Sequence, residues 1–380
     1  MKHKEKCIKN LINNLTILLV SLFIHAPGAV FAGESMTYFS SATSSFTNLD
    51  KSSYEYQVNE APGYGESFYF SAFDDKGNVV TALVSMTNYN PFNKGMGSFD
   101  MHWVEGGKVR VVHQEFNADE IKQGNNQGTT FGKYSFINPG ISNTEIYYRG
   151  EDTEGNAVEI KVNMEHTEPG VQSGDSNLYF GEGLADYWGL KIIAPSGNAR
   201  ASLTTKDGKT STLNLKAYLD HGKATAKVPD FSDHWYRLHF ISDKWTIGMH
   251  EITTESELGD RKPQILYVGK NKQALGLFAD WEYREDGFKA HPESPYEIPT
   301  GWRLKLERDD LKISGTVKVK KEVMAIDVLG SVSWAVRMLV KAFYSNAWQH
   351  FLLVEVELDI EHNGVSEKVK GLGLATAEYY

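Results

Sequence analysis

The residues best suited to chemistry in this sequence are concentrated between positions 215 and 248. Asp220 and His221 stand side by side at the end of one alternating run. An aspartate whose pKa is raised by an apolar pocket can act as a general acid, and a neighbouring histidine can orient it or relay protons. Adjacent side chains on a strand point to opposite faces, so the pair could serve one cavity only if the strand ended there. The alternative is structural, with both residues closing the turn between two domains by hydrogen bonds.

Further histidines follow this pair, at His234, His239 and His250, and raise the question of a metal site. The sequence has no His-x-His or H-E-x-x-H spacing, and His239 and His250 lie in runs whose neighbours are apolar. We therefore expect no metal site. The sequence also lacks a P-loop, a Ser-His-Asp motif and a G-x-G-x-x-G fingerprint before a helix, so we expect no nucleotide and no other cofactor.

Aromatic residues are spread over the β-rich runs of both halves of the chain. Rings of this kind line the cavity of a hollow barrel, but the same residues also fill a packed core, and the sequence leaves both possibilities open. If a cavity exists, we expect a particular group of side chains to contact its ligand. These are Trp188, Tyr218, Trp235, Tyr236 and His239.

Short β-rich runs separated by turn signals dominate the chain from residue 67 onward. Hairpins are predicted over residues 74–78, 105–108 and 206–209, because Asp, Asn and Gly tolerate the backbone angles of tight turns. Many short strands with regular turns are typical of a β-sandwich or an up-and-down barrel. The expected fold class is therefore all-β.

The second half of the chain restarts the pattern of the first. Residues 68–87 and 235–254 both begin with two aromatic residues, place Phe73 and Phe240 at the same step, and end in a threonine. A repeat of roughly 160 residues is far longer than a solenoid period and indicates two copies of one β domain, although generic hairpins can also match by chance. We predict one domain over residues 33–226 and a second over residues 227–380.

One segment after Ile326 has helical rather than β periodicity. Its apolar residues recur three or four positions apart, with Asp327, Arg337 and Lys341 on the other side. The apolar positions are Val328, Val332, Ala335, Val336, Leu339 and Phe343. We predict an amphipathic helix that packs on a barrel wall or plugs its end. Membrane contact is the weaker alternative, because the polar face has no basic cluster.

The first 32 residues have the organisation of a cleaved signal peptide. Four lysines precede an apolar segment at residues 15–24, and Val30 and Ala32 stand at the positions that a signal peptidase reads. The alternative is a membrane anchor, for which the apolar run is too short. Cleavage after Ala32 would remove Cys7, the only cysteine. We therefore expect a periplasmic or secreted bacterial protein without disulfides.

Export would also change the charge of the protein. The formal net charge of −10 becomes −13, because four lysines and Glu5 leave with residues 1–32. An acidic protein is a poor partner for nucleic acid and for anionic membrane surfaces. We expect a monomer that binds no nucleic acid and has at most weak membrane contact.

Several short motifs together resemble a known superfamily. They are A-Y-L-D-H at residues 217–221, followed by Pro229, Trp235 and Phe240, with G-E-G at residues 181–183 and G-L-G-L-A-T-A-E at residues 371–378. The chain is similar to the superfamily of proteins with two lipocalin-like domains, which includes carotenoid hydratases (hydroxyneurosporene synthases), AttH-like bacterial proteins, fungal cell-survival factors and certain fungal Diels-Alderases. Residues 67–73 and 324–337 most resemble the survival-factor branch.

This resemblance implies two tandem calycin-type barrels and a hydrophobic ligand such as a lipid or an isoprenoid. In the hydratase branch the motif resembles Y-x-D-H-N-W, whose acidic and histidine positions are implicated in adding water across a double bond. Tyr218, Asp220 and His221 match it, but Gly222 and Lys223 replace the Asn and Trp. The departure favours binding or carriage of a hydrophobic molecule over hydration.

Two other functions stay open. The protein could be an enzyme that acts on such a molecule as a hydratase, cyclase or isomerase, with Asp220 as the acid. It could instead be a structural envelope protein whose barrels are filled with side chains. Both barrel interiors would then be packed, and no ligand could be extracted.

Overall fold

The computed structural model describes residues 36, 46–57, 61–88, 95–124, 128–328, 330 and 346–380. The signal peptide predicted over residues 1–32 lies outside these residues. The predicted helix also lies outside them, apart from its first positions, since residues 329 and 331–345 are not described. None of the described helices is long and apolar enough to cross a membrane.

The first half of the chain forms one large sheet, because β-branched and aromatic residues alternate between turns of Gly, Asp and Asn. Its strands are β1 (Phe46–Asn48), β2 (Gly65–Phe73), β3 (Val79–Thr87), β4 (Met96–Glu105), β5 (Lys108–Phe116), β6 (Ile121–Gly124), β7 (Gly128–Phe131), β8 (Ser135–Pro139), β9 (Asn143–Glu151), β10 (Ala157–His166), β11 (Val171–Ser173), β12 (Asn177–Phe180), β13 (Asp186–Thr205) and β14 (Thr210–Ala224).

The second half forms a second large sheet and a small ribbon made of β20 and β21. Its strands are β15 (Ser232–Ile241), β16 (Trp245–Thr254), β17 (Gln264–Lys270), β18 (Gln273–Phe278), β19 (Glu282–Glu285), β20 (Phe288–Ala290), β21 (Glu297–Pro299), β22 (Gly301–Glu307), β23 (Leu311–Asp327), β24 (Trp348–His362) and β25 (Val365–Tyr379). Short 3₁₀ segments lie at Lys51–Tyr54, Ala118–Glu120, Glu182–Leu184, Val228–Asp230 and Ser256–Leu258.

The two sheets have the same strand order. The first runs β5-β4-β3-β2-β14-β13-β10-β9-β8 and continues into β7 and β6, and the second runs β18-β17-β16-β15-β25-β24-β23-β22-β19. In each half the first long strand therefore pairs antiparallel with its own last strand, as β2 does with β14 and β15 with β25. One sheet forms a nearly closed barrel and the other a half-barrel. The prediction of an all-β, two-barrel fold is confirmed.

The sequence match that sets Phe73 against Phe240 is wrong by one position in the first long strand of each half, β2 and β15. Phe73 packs with Val104 and Phe351 between the halves, whereas Phe240 packs inside the second half with Leu238 and Tyr236. The connection from β2 to β3 has two more residues than the connection from β15 to β16. A shift of one residue reverses the face to which every side chain of a strand points.

The buried residues form two internal cores and two clusters between the halves. The core of the first half includes Phe70, Phe99 and Tyr148, and that of the second includes Trp302 and Val354. The larger cluster between the halves joins side chains of β2, β13 and β14 to side chains of β15, β16 and β17. Apolar burial of roughly 25 cal/mol per Å² therefore also holds the two halves against each other.

Candidate functional site

A cavity of about 340 Å³ lies between the two sheets. Its wall is formed mainly by β2, β3, β13 and β14 of the first half and by β15, β24 and β25 of the second. Many of the lining side chains are apolar or aromatic, including Leu83, Trp188, Leu190, Trp235 and Phe351. Enclosed apolar spaces between domains are where small ligands usually bind.

The alternation of side chains along β14 and β15 brings this site together. On β14, Tyr218 and Asp220 point toward the second half, while Leu219 points into the core of the first. On β15, Trp235 and Arg237 line the cavity. Period-two patterning thus lets each strand contribute to a packed core on one face and to the cavity on the other.

Asp220 is buried in the cavity wall, with 2% of its surface exposed. Its Oδ2 has no hydrogen-bond partner among the described residues and lies 3.9 Å from His250 Nε2. Burial raises the pKa of this carboxyl to about 7, although the charge of Arg237 and the hydroxyl of Tyr218 oppose the shift. A buried acid that titrates near neutrality can give up or take up a proton at physiological pH.

Two neutral histidines lie next to Asp220, behind the cavity wall. The hydroxyl of Tyr218 is 2.8 Å from His250 Nε2, and the ring of Tyr218 stacks on His239 with 3.6 Å between centroids. His239 Nδ1 lies 3.0 Å from Ser71 Oγ. Burial and the charge of Arg237 hold the pKa of both histidines well below its ordinary value. His250 can therefore share a hydrogen bond with Tyr218, and His239 one with Ser71, without adding charge to the site.

An ion pair forms the polar part of the cavity wall. The guanidinium of Arg237 pairs with the carboxylate of Glu378 and lies against the rings of Tyr69 and Trp235, 4.5 and 4.7 Å from their centroids. The other oxygen of Glu378 accepts the hydroxyl of Tyr380 at 2.8 Å and the side-chain amide of Gln349 at 3.1 Å. Such a pair is strongly held, because removing either partner leaves a buried charge uncompensated.

His221 lies on the other face of β14 and does not line the cavity, although its partner Glu66 does. Its Nε2 is 2.7 Å from Glu66 Oε1 and its Nδ1 is 2.8 Å from the carbonyl oxygen of Ser53, and its ring stacks on Phe68. Because β14 continues to Ala224, the strand does not end at this pair, and Asp220 and His221 point to opposite faces as adjacent strand residues do. His221 instead ties the 3₁₀ segment Lys51–Tyr54 to β2.

The other residues predicted from the sequence lie in three places. Trp188 and Trp235 line the cavity, and Tyr218 and His239 lie directly behind its wall. Tyr236 faces the core of the second half, where its ring meets Trp302 edge to face.

Sequence analysis missed the polar residues Arg237, Glu378 and Tyr380. Arg237 had a readable signal, since it is a charge within the apolar run W-Y-R-L-H-F at residues 235–240. Glu378 and Tyr380 had none, because they reach the cavity only through the pairing of β25 with β15.

One group among the described residues has the composition of a metal site: His291, Glu322 and His350, whose ligand atoms lie within 4.8 Å of one another. The carboxylate is hydrogen-bonded to His291 Nε2 at 3.0 Å and to His350 Nδ1 at 2.6 Å. His291 Nδ1 accepts the backbone N–H of Ser294 at 2.9 Å, so Nε2 carries the proton of the neutral ring. Binding a metal ion at Nε2 would require the ring proton to move to Nδ1, where it would face the N–H of Ser294, so the geometry favours a hydrogen-bonded cluster.

Comparison with solved structures shows which proteins share this fold. A protein from Nitrosomonas europaea that is described as an AttH protein is 11% identical to this chain. Its TM-score is 0.60, and the match covers 87% of this chain and 97% of that chain. Kievitone hydratase from Nectria haematococca is 14% identical, with a TM-score of 0.54 over 90% and 95% of the two chains. CghA is 11% identical, with a TM-score of 0.52 over 91% and 98%.

At these identities the likeness shows the fold alone. No curated protein matches the chain. The resemblance to the superfamily with two lipocalin-like domains is nevertheless confirmed, both by the fold and by a match to the sequence profile of one family. That profile covers residues 26–378, so the chain belongs to the Svf1 family.

Proposed function

We propose that this protein binds a small, mainly apolar molecule in the cavity between its two sheets. The observation that carries the proposal is the wall of that cavity, where Trp188, Trp235 and Leu83 surround a small polar cluster at Asp220 and Arg237. A volume of about 340 Å³ falls within the ~300–1,000 Å³ usual for ligand pockets. Apolar burial supplies the binding energy, and the few polar groups orient the molecule.

Native mass spectrometry of the protein purified from its own host tests this proposal. We expect a hydrophobic molecule to be retained at near-stoichiometric amount and to be replaced by an added isoprenoid such as farnesol. Leu83→Trp fills the cavity and should abolish uptake. Leu275→Trp is the matched control, since Leu275 is also half-buried but packs against the core of the second half. A clean apo mass with no uptake of any probe would instead support the structural function.

A second candidate function is catalysis on such a molecule. It is favoured by one observation, the buried carboxyl of Asp220, whose pKa of about 7 keeps much of it protonated near neutral pH. In a hydration, Asp220 would donate its proton to one alkene carbon and water would add its oxygen to the other. One proton of that water would return to the carboxylate, so that one water is added and Asp220 is regenerated.

Turnover of any retained molecule, followed by mass change, tests the catalytic function. Asp220→Asn keeps the shape of the side chain but has no acidic proton, so it should lose turnover by at least 100-fold while still binding the molecule. Turnover that survives in Asp220→Asn would exclude Asp220 as the acid. Binding without turnover in the unmodified protein would leave carriage as the function.

We also propose that the protein is exported and acts as a monomer in the periplasm or outside the cell. The support is the basic, apolar and small-residue organisation of residues 1–32. N-terminal sequencing of protein from the periplasmic fraction should begin at Gly33, and light scattering should give the mass of one mature chain. Recovery of the protein with Met1 intact would contradict export with cleavage.

A further inference from the structure

The charges that line the cavity are not balanced. Its charged lining residues are two cations, Lys223 and Arg237, and three carboxylates, Glu66, Asp220 and Glu378. His102 also lies in the wall, but burial lowers its pKa to about 4, so it adds no positive charge at neutral pH. With Asp220 ionised, the lining therefore carries one net negative charge.

The two cations are already paired with carboxylates of the protein. Lys223 Nζ lies 3.6 Å from Glu66 Oε1, and Arg237 pairs with Glu378. The rings of Tyr69 and Trp235 lie against the guanidinium of Arg237. Arg237 is not available to pair with an anionic ligand, because it would first have to leave the buried carboxylate of Glu378 without its charged partner. Lys223 is held less firmly, since its 3.6 Å separation from Glu66 is longer than a hydrogen bond and Glu66 also contacts His221 and Tyr64.

An anionic group in this cavity would also be repelled. Asp220 has an oxygen without a partner in the cavity wall, and Glu378 already accepts hydrogen bonds from Arg237, Gln349 and Tyr380. In a space with little water, charges interact more strongly than in solution. The lining donors without a partner among the described residues, Tyr69 Oη, Trp235 Nε1 and Arg237 Nε, can serve a ligand oxygen, but a ligand carboxylate would still lie against the unpaired oxygen of Asp220.

Resting on the proposed binding function, we infer that the cavity selects neutral molecules with a hydroxyl or carbonyl oxygen and rejects the corresponding carboxylic acids. Glu378 is the residue that sets this selectivity, because it neutralises Arg237. A hydroxyl or carbonyl can exchange hydrogen bonds with the polar cluster without an uncompensated charge. The inference thus narrows the ligand from a lipid or isoprenoid in general to an uncharged, oxygen-bearing one.

Two probes with one carbon skeleton test the inference on the unmodified mature protein at pH 8. Farnesol and farnesoic acid differ only in the terminal group, and their affinities can be measured by tryptophan fluorescence, since Trp188 and Trp235 line the cavity. We expect farnesol to bind at least tenfold more tightly than farnesoic acid. Equal affinity, or tighter binding of the acid, would overturn the inference and leave the binding function standing. Failure of both probes would overturn the binding function and the inference with it.

Glu378→Gln tests the residue that sets the selectivity. It frees the positive charge of Arg237 and should raise the affinity for farnesoic acid at least tenfold while changing that for farnesol by less than threefold. Glu357→Gln is the control, because Glu357 is exposed on the same sheet and pairs with Lys370. If Glu378→Gln does not fold, a third probe, farnesylamine, is added to the titrations of the unmodified protein instead. The amine should bind the unmodified protein more tightly than the acid, and the reverse order would overturn the inference.

Discussion

At the scale of single residues, the pH dependence of stability depends on the carboxyl of Asp220. Its pKa of about 7 in the folded protein exceeds the ordinary 3.8, so the folded state binds the proton more tightly than the unfolded chain. The contribution of this group to the free energy of unfolding is fully present below pH 4 and is lost as the pH rises toward 7. The rise of the pKa from 3.8 to about 7 corresponds to a loss on the order of 4 kcal/mol at most.

Asp220→Asn should remove this loss. We expect the free energy of unfolding of the variant, relative to the unmodified protein, to increase between pH 5 and pH 7 and to level off toward pH 8. Guanidinium unfolding at four pH values measures it. Asp207→Asn is the control, because Asp207 is exposed, has a pKa of about 2 and does not titrate in this range. A pH-independent difference for Asp220→Asn would show that the carboxyl is not perturbed by burial.

Sequence reasoning could name Asp220 but not its environment. The pair of acid and histidine is visible in the motif A-Y-L-D-H. The opposite orientation of their side chains follows from the alternation of neighbouring residues along a strand. The pKa of Asp220 depends on Arg237 and Glu378, which come from strands near the opposite ends of the second half. No local pattern in the sequence records that pairing.

At the scale of elements, β14 separates two roles along one strand. Asp220 faces the cavity, and His221 faces Glu66 and the 3₁₀ segment Lys51–Tyr54. We expect His221→Leu to lower the free energy of unfolding by about 3–5 kcal/mol, because it leaves the buried carboxylate of Glu66 without that partner. Farnesol affinity should stay within twofold of the original, because farnesol has no charge that the lining carboxylate of Glu66 would attract or repel.

Denaturant unfolding and fluorescence titration together check the separation. His113→Leu is the matched control, since His113 also pairs with a carboxylate, that of Asp100, but is much more exposed, so its loss should cost less than about 1 kcal/mol. A loss of farnesol binding in His221→Leu would mean that the two faces of β14 are coupled.

The positions of strands and turns were more predictable from the sequence than the register in which the strands pair. Turn signals located the hairpins over residues 74–78 and 105–108, which the structure places between β2 and β3 and between β4 and β5. Strand β13 passes through Pro195 as one strand of 20 residues, with register shifts on both sides of Ala194. Bulges of this kind absorb a residue that cannot donate to the ladder.

At the scale of the whole molecule, the cavity exists only while the two halves hold their relative position. Glu168 belongs to the first half, is 4% exposed, and accepts the hydroxyls of Thr246 and Tyr267 from the second half, both at 2.5 Å. Gly269 leaves room for this contact, since a Cβ there would lie 2.4 Å from Glu168 Oε2. The three side chains therefore link the halves through one buried carboxylate.

Tyr267→Phe removes one donor of this link without changing the cavity wall. The carboxylate of Glu168 then lacks a hydrogen bond in a buried position, which costs about 1–3 kcal/mol. We expect calorimetry to show a broader unfolding transition, with one half unfolding before the other, and farnesol affinity to fall threefold to tenfold. Tyr134→Phe, at an exposed ring, should change neither. A single sharp transition with full affinity in Tyr267→Phe would mean that apolar packing alone fixes the two halves, because the polar link would then add nothing measurable to it.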